Sequence, residues 1–169
     1  MKHYDIIIIG SGIAGISLGS IISKERKVAI IEKEKQLSYH STGRSFAFFI
    51  ESYGNNAIIE LTKISKKFFY DNFNLFLKKK GVMFIGNNKQ KTVVEDFYNE
   101  HKRKVKLELF SKNETIKLAN CLNEDYVNNS VIDINASEID VNNLYEYYRK
   151  LYNKNDGFIF TDFNINLVE

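Results

Sequence analysis

The sequence predicts an α/β protein that opens on a parallel βαβ unit and continues into the start of an α+β region, and three observations carry that prediction. Ile6 to Ile9 is a β-branched apolar run that stops at Gly10, the pattern of a strand buried on both faces of a parallel sheet. From Ile13 the pattern changes: Gly15, Leu18, Gly19 and Ile22 recur at helical spacing, and the small residues on that face let a helix lie close to a sheet. Charged Lys24 to Lys27 close the helix, and Val28 to Ile31 makes a second buried strand ending at Glu32.

The remaining elements follow from period and punctuation. After a polar loop from Lys33 to Ser45, helical spacing returns with Ile58, Leu61, Ile64 and Phe68, which predicts an amphipathic helix from about Asn55 to Tyr70. Val82 to Ile85 reads as a strand, Val93 to Lys104 as a charged helix, and Val105 to Phe110 as a strand. Ser111 and Glu114 form a capping box, so a short helix is expected to carry Ile116 to Leu122. Val131 to Ile134 reads as a strand, Val141 to Asn153 as a helix with Leu144, Tyr147, Tyr148 and Leu151 on one face, and Phe158 to Thr161 as a strand. Asn164 to Glu169 is expected to begin one more. A parallel sheet needs covering elements, and the sequence stops in or after strand-like residues, so we expect the N-terminal part of a longer, truncated enzyme.

Composition narrows the function classes. The 169 residues are 44% hydrophobic and 27% charged, which suits a globular core and excludes disordered, collagenous and disulfide-rich chains. The net charge of +3 is spread along the chain without a basic block, so no nucleic-acid partner is expected. Cys121 is the only cysteine; neither a disulfide nor a CxxC metal site is expected, which fits a cytoplasmic location, and a lone cysteine is read as a small buried hydrophobe. Lys78 to Lys80 and Lys102 to Lys104 read as solvated helix ends. His40 reads as a hydrogen-bonded surface residue of its loop. The apolar stretch 6–22 is interrupted by four glycines and preceded by Asp5, which argues against a membrane span or a signal peptide.

Gly10-Ser11-Gly12-Ile13-Ala14-Gly15 is GxGxxG placed directly after a strand and opening a helix, the context that gives this motif its meaning. Gly10 permits a tight turn, Gly12 lets backbone approach a pyrophosphate, and Gly15 lets helix and strand pack closely. The helix start offers N–H groups and a positive dipole end to an anion. Glu32 closes the second strand, where a carboxylate accepts hydrogen bonds from adenosine ribose hydroxyls and disfavours a 2′-phosphate. These residues indicate a dinucleotide and leave FAD and NAD both open.

His40-Ser41-Thr42-Gly43-Arg44-Ser45 follows, a segment of hydroxyls, a glycine and an arginine suited to an extended diphosphate and polyol chain. With YDIIIIGSGIAGISLGSII, VAIIEKE and SYGN, it resembles the FAD-dependent oxidoreductases of the D-amino-acid oxidase (DAO) superfamily, most closely the D-arginine dehydrogenase branch, without a gap through Phe69. Beyond Phe69 the likeness thins to a pattern over residues 130–160.

The resemblance implies FAD as cofactor and a division into 1–80 as FAD-binding part, 81–135 as the start of a substrate domain, and 136–169 as an incomplete return to the FAD-binding domain. It implies that Gly10, Gly12 and Gly15 hold the pyrophosphate and Glu32 the adenosine ribose, with Ile13, Ala14 and Lys33 also among the cofactor-binding residues. Ser41, Thr42, Gly43, Arg44 and Ser45 are implied to line the rest of the flavin dinucleotide. Tyr53 matches a tyrosine bordering the substrate pocket, and Phe48 stands where the D-arginine dehydrogenase branch has a histidine. The activity implied is oxidation of a small-molecule amine or D-amino acid to an imine by hydride transfer to flavin. No catalytic acid or base, metal ligand or electron acceptor is identified. The alternatives are a non-catalytic ADP-dinucleotide-binding fragment and an NAD-dependent Rossmann enzyme.

Overall fold

The computed structural model describes residues 3–165. The chain divides into two compact units, one formed by Met1–Ala47 with Asp140–Glu169 and the other by Phe48–Ile139. The first unit is therefore built from both ends of the sequence.

In the first unit, β1 (Ile6–Ile9), α1 (Ile13–Ile22) and β2 (Val28–Ile31) form the expected βαβ, and α6 (Val141–Lys154) and β9 (Phe158–Phe160) join them from far along the chain. The sheet order is β1-β2-β9 and both pairings are parallel. Ile8, Val28 and Ile30 lie in one cluster with Ile16 of α1 and Tyr145 and Tyr152 of α6. A Cβ on Gly19 would lie 3.0 Å from Ile30 Cδ1 and 3.3 Å from the Tyr152 ring, so the small face of α1 admits both neighbours. Tyr152 is fully buried and its hydroxyl donates to Val28 O at 2.8 Å and Phe158 O at 3.0 Å, which fastens α6 to two adjacent strands.

Ile7 and Ile9 are 57% and 65% exposed, so β1 is buried on one face and not on two. Successive strand residues alternate between faces, and α1 and α6 meet only the face that carries Ile8.

The second unit contains β3 (Phe48–Phe49), α2 (Asn56–Asp71), α3 (Phe73–Phe76), β4 (Leu77–Lys79), β5 (Val82–Gly86), α4 (Lys91–His101), β6 (Leu107–Ser111), α5 (Lys112–Leu118), β7 (Asn129–Asp133) and β8 (Ser137–Ile139). Two antiparallel sheets result, β3-β8-β4 and β5-β7-β6. Val94 and partly buried Phe97 and Tyr98 of α4 pack with Val105, Leu107 and Val131. Asn55 caps α2 by accepting from the Ile58 N–H at 3.1 Å. The Glu114 carboxylate accepts from the Ser111 N–H and hydroxyl at 2.9 and 2.6 Å, which starts α5 at Lys112; the helix runs to Leu118, earlier than the expected 116–122.

Lys78 and Lys79 lie on β4, paired to β8, and are not helix-end cations; the preceding helix stops at Phe76. Cys121 is exposed, not a buried hydrophobe. Residues 164–165 carry no regular structure, and the remainder of the strand expected from Asn164 lies outside the described residues.

Candidate cofactor site

The strand-to-helix turn is built as its glycines require. Gly10 has φ +98°, a conformation open to glycine and strained for other residues, and its N–H donates to Ile31 O at 2.8 Å. A Cβ on Gly15 would lie 2.0 Å from Gly10 O and 3.3 Å from Ile8 Cγ2, so helix and strand meet at backbone distance. Gly12 is extended and precedes α1. A Cβ there would lie 3.1 Å from Thr42 Oγ1.

The N–H groups around this helix start divide into engaged and free. The Ser11 N–H donates to Glu32 Oε2 at 2.9 Å, and the Ile13 N–H donates to Thr42 Oγ1 at 2.9 Å. The N–H groups of Gly12, Ala14 and Gly15 meet no acceptor among the described residues. Three free donors at the positive end of a ten-residue helix, with no side chain at Gly12, fit a pyrophosphate.

Glu32 is nearly buried and closely held. Its Oε2 accepts from the Ser11 hydroxyl at 2.6 Å as well as from the Ser11 N–H, and its Oε1 accepts from the Glu34 N–H at 3.0 Å. Burial pushes the carboxyl up, but the Glu34 N–H, the Ser11 hydroxyl and N–H and the neighbouring Lys33 N–H outweigh it and hold the group below its ordinary value. The acid is thus an ionised acceptor, as a contact to sugar hydroxyls requires.

The loop after β2 closes over the same turn. Thr42 is buried, the Gly43 N–H donates to Ser38 O at 2.7 Å, and the Ser38 N–H reaches Ser11 Oγ at 3.4 Å. A Cβ on Gly43 would lie 2.4 Å from Ser38 O, so glycine is what lets the loop close. Arg44 stacks over the Tyr39 ring at 4.8 Å, and His40 Nε2 meets Glu34 Oε1 at 2.9 Å as a surface pair. Lys33, Ser41, Gly43, Arg44 and Ser45 are exposed. The first unit therefore brings together Gly10, Gly12, Ile13, Ala14, Gly15, Glu32 and the Ser41–Ser45 segment.

Phe48 and Tyr53 belong to the second unit. Phe48 is half-buried on β3, opposite Glu138 of β8. Tyr53 is 62% exposed on a firmly tethered turn: Glu51 pairs with Lys66 at 2.8 Å, and the buried Ser52 hydroxyl donates to Asp133 at 2.7 Å.

Two residues that sequence reasoning passed over matter at the first site. Ser11, the variable residue between two motif glycines, binds the carboxylate of Glu32 twice; a hydroxyl at that position was the available signal. Tyr145 of α6 sits beside Ser11: burial pushes its hydroxyl up and the Ser11 side chain acts against that, yet no group stands at hydrogen-bonding geometry to it. Nothing in the local sequence pairs residues 134 positions apart.

A βαβ unit with free helix-start donors and an acidic residue ending its second strand defines a dinucleotide-binding protein. The profile of the family described as "DAO: FAD dependent oxidoreductase" matches residues 5–166, and the chain belongs to that family. Of the two dinucleotides the glycine motif leaves open, FAD is thereby the family's cofactor.

Solved structures agree on the fold. An L-α-glycerophosphate oxidase from Mycoplasma pneumoniae with FAD bound has a TM-score of 0.83 at 16% identity, over 98% of this chain and 46% of that one. A glycine oxidase from Geobacillus kaustophilus gives 0.81 at 13% identity, over 96% and 47%. An L-proline dehydrogenase from P. horikoshii gives 0.78 at 17% identity, over 99% and 47%. The chain thus spans about half the length of these structures. An uncharacterised protein of Methanocaldococcus jannaschii is 39% identical over 59 residues, 34% of this chain and 16% of that protein. Among the described residues, no helix is long and apolar enough to cross a membrane.

Proposed function

We propose that the first unit holds the ADP half of FAD and that the protein serves oxidation of a small-molecule amine or amino acid in the cytoplasm. The observation that carries this reading is the set of three free N–H groups at Gly12, Ala14 and Gly15 beside an ionised Glu32. The free donors take the pyrophosphate oxygens, and the helix dipole favours their charge. Glu32, flanked by Lys33, accepts from the adenosine ribose. Thr42 fixes the loop to the Ile13 N–H, leaving Ser41, Arg44 and Ser45 exposed to line the rest of the dinucleotide.

When bound, FAD supplies a two-electron acceptor for hydride leaving the substrate α-carbon. The protein's own part is positioning. Loss of the α-carbon hydride to the flavin and of one nitrogen proton to solvent would turn the amine into an imine, which water would hydrolyse to the carbonyl compound and ammonia or an amine. We assign Phe48 and Tyr53 to the substrate side, with the second unit as the start of that domain. Phe48 in place of the histidine of the D-arginine dehydrogenase branch favours an apolar amine over a cationic one. The amine class is supported by the glycine oxidase and proline dehydrogenase among the structures of the same fold.

The test is a visible spectrum of the purified chain and a fluorescence titration with FAD. Gly12→Val puts a branched side chain where even a Cβ would lie 3.1 Å from Thr42 Oγ1, displacing Thr42 and blocking the donors. We expect at least about a hundredfold loss of FAD affinity, equivalent to about 3 kcal/mol. Unchanged affinity in this variant refutes the assignment.

A further inference from the structure

We infer that Ser11 sets how the ribose is read: by taking Oε2 of Glu32, it leaves that carboxylate at most one acceptor position, so a single ribose hydroxyl is recognised there. This rests on the proposed ADP site and deepens it.

An ionised carboxylate has about four acceptor positions. Three are occupied by the protein itself: the Ser11 N–H and hydroxyl share Oε2 at 2.9 and 2.6 Å, and the Glu34 N–H takes one position on Oε1 at 3.0 Å. The Lys33 N–H lies near enough to help hold the carboxyl low but is not at hydrogen-bonding geometry to either oxygen, so one position on Oε1 stays open. The Ser11 hydroxyl cannot turn to the ligand instead, because Ser11 is wholly buried. Its shortest bond is the one to Glu32, and its oxygen also receives the Ser38 N–H at 3.4 Å. The Ser11 side chain thus acts as a positioning residue that fixes the carboxylate with Oε1 as its remaining face. The second ribose hydroxyl must go elsewhere, to solvent or another group.

The experiment is calorimetric titration of the full chain with ADP, 2′-deoxy-ADP and 3′-deoxy-ADP. One deoxy analogue should bind about tenfold more weakly than ADP, the loss of one charge-assisted hydrogen bond. The other should bind within twofold of ADP. Comparable losses for both analogues overturn the inference while leaving the ADP site intact. No loss for either, with ADP still bound, removes Glu32 as the ribose contact and the inference with it. Absence of ADP binding refutes the proposed function itself.

Ser11→Ala keeps the N–H bond and removes the hydroxyl, freeing a position on Oε2. In a variant whose circular dichroism melt shows it folded, the tolerated analogue should now lose at least about threefold relative to ADP. The same pattern of losses as in the parent shows that Ser11 does not set the limit. A purely structural serine would shift the melt and the overall affinity without changing which hydroxyl matters.

Discussion

Gly15→Ala separates two physical accounts of the turn because they give opposite signs. Taken as a helix position alone, Ala in place of Gly should stabilise by about 1 kcal/mol. The structure opposes this: the added Cβ would lie 2.0 Å from Gly10 O, about 1 Å inside the 3.0 Å below which such contacts essentially do not occur. The carbonyl cannot give way cheaply, since Gly10 is held by its N–H bond to Ile31 O at 2.8 Å and by its φ of +98°. Relief must come from moving α1 off the sheet, which opens the Ile16 contacts in the core. Overpacking of this kind costs about 1–3 kcal/mol or more, and with backbone on one side we take the upper end. After subtracting the helix gain, a net loss of about 2 kcal/mol is expected. Urea unfolding of parent and variant, compared at equal m-values, measures it. A variant as stable as the parent, or more so, would show that helix and strand are not in the close contact described.

Two tyrosines of α6 should respond oppositely to loss of the same oxygen. Tyr152→Phe leaves Val28 O and Phe158 O without their donor and should cost about 1–2 kcal/mol, whereas Tyr145→Phe removes a buried hydroxyl without a partner and should stabilise by about 1 kcal/mol. Urea midpoints read both. Burial pushes the Tyr152 hydroxyl up to about 12 from 10.0; a raised folded value means that stability is complete below the unfolded value and declines as pH rises from 10 to 12, a decline that Tyr152→Phe should lack. Glu32 has the reverse sign. Its carboxyl is held low in the fold, so its contribution is complete above the ordinary carboxylate value and lost as pH falls through the depressed one. Glu32→Gln should flatten the acid limb of the stability profile below the ordinary carboxylate value.

What the sequence disclosed follows from how local each signal is. The first β-α-β and the helices of residues 56–71 and 141–154 were legible because hydrophobic period and cap chemistry act within a few residues. The turn residues Gly10 to Gly15 and Glu32 were legible for the same reason. β3, β4 and β8, of two or three residues each, were not, since they exist only through pairing with one another. Lys78 and Lys79 illustrate this: their charge suggested a helix end, but pairing to Glu138 and Ser137 decided their conformation. The exposure of Ile7 and Ile9 was also hidden, because an all-isoleucine run reads the same whether one face or two are covered. Ser11 was hidden in a motif position that accepts any residue, and its partner is 21 positions away.

The order of the chain makes one last expectation of this site. Every candidate cofactor residue lies between Gly10 and Ser45, yet the backbone that aims Glu32 is fixed by residues past 140. The Glu32 N–H donates to Phe160 O at 2.7 Å, and its own carbonyl receives the Phe163 N–H at 3.1 Å. β9 continues the sheet on the outer edge of β2, with Ile30 opposite Ile159 and Ile31 opposite Phe160. Tyr145 and Tyr152 fill the core against Ile16 and Ile30. Without them, two short parallel strands and one helix retain too little buried apolar surface to hold the turn. A chain ending at Ile139 should therefore lose FAD binding although it keeps every proposed contact to the cofactor, and adding residues 140–165 as a separate peptide should restore part of it. Fluorescence titration of the three samples makes the comparison. Binding by the shortened chain within twofold of the parent would mean that residues 10–45 form the cofactor site on their own, and that the return of the chain through α6 and β9 serves some other purpose.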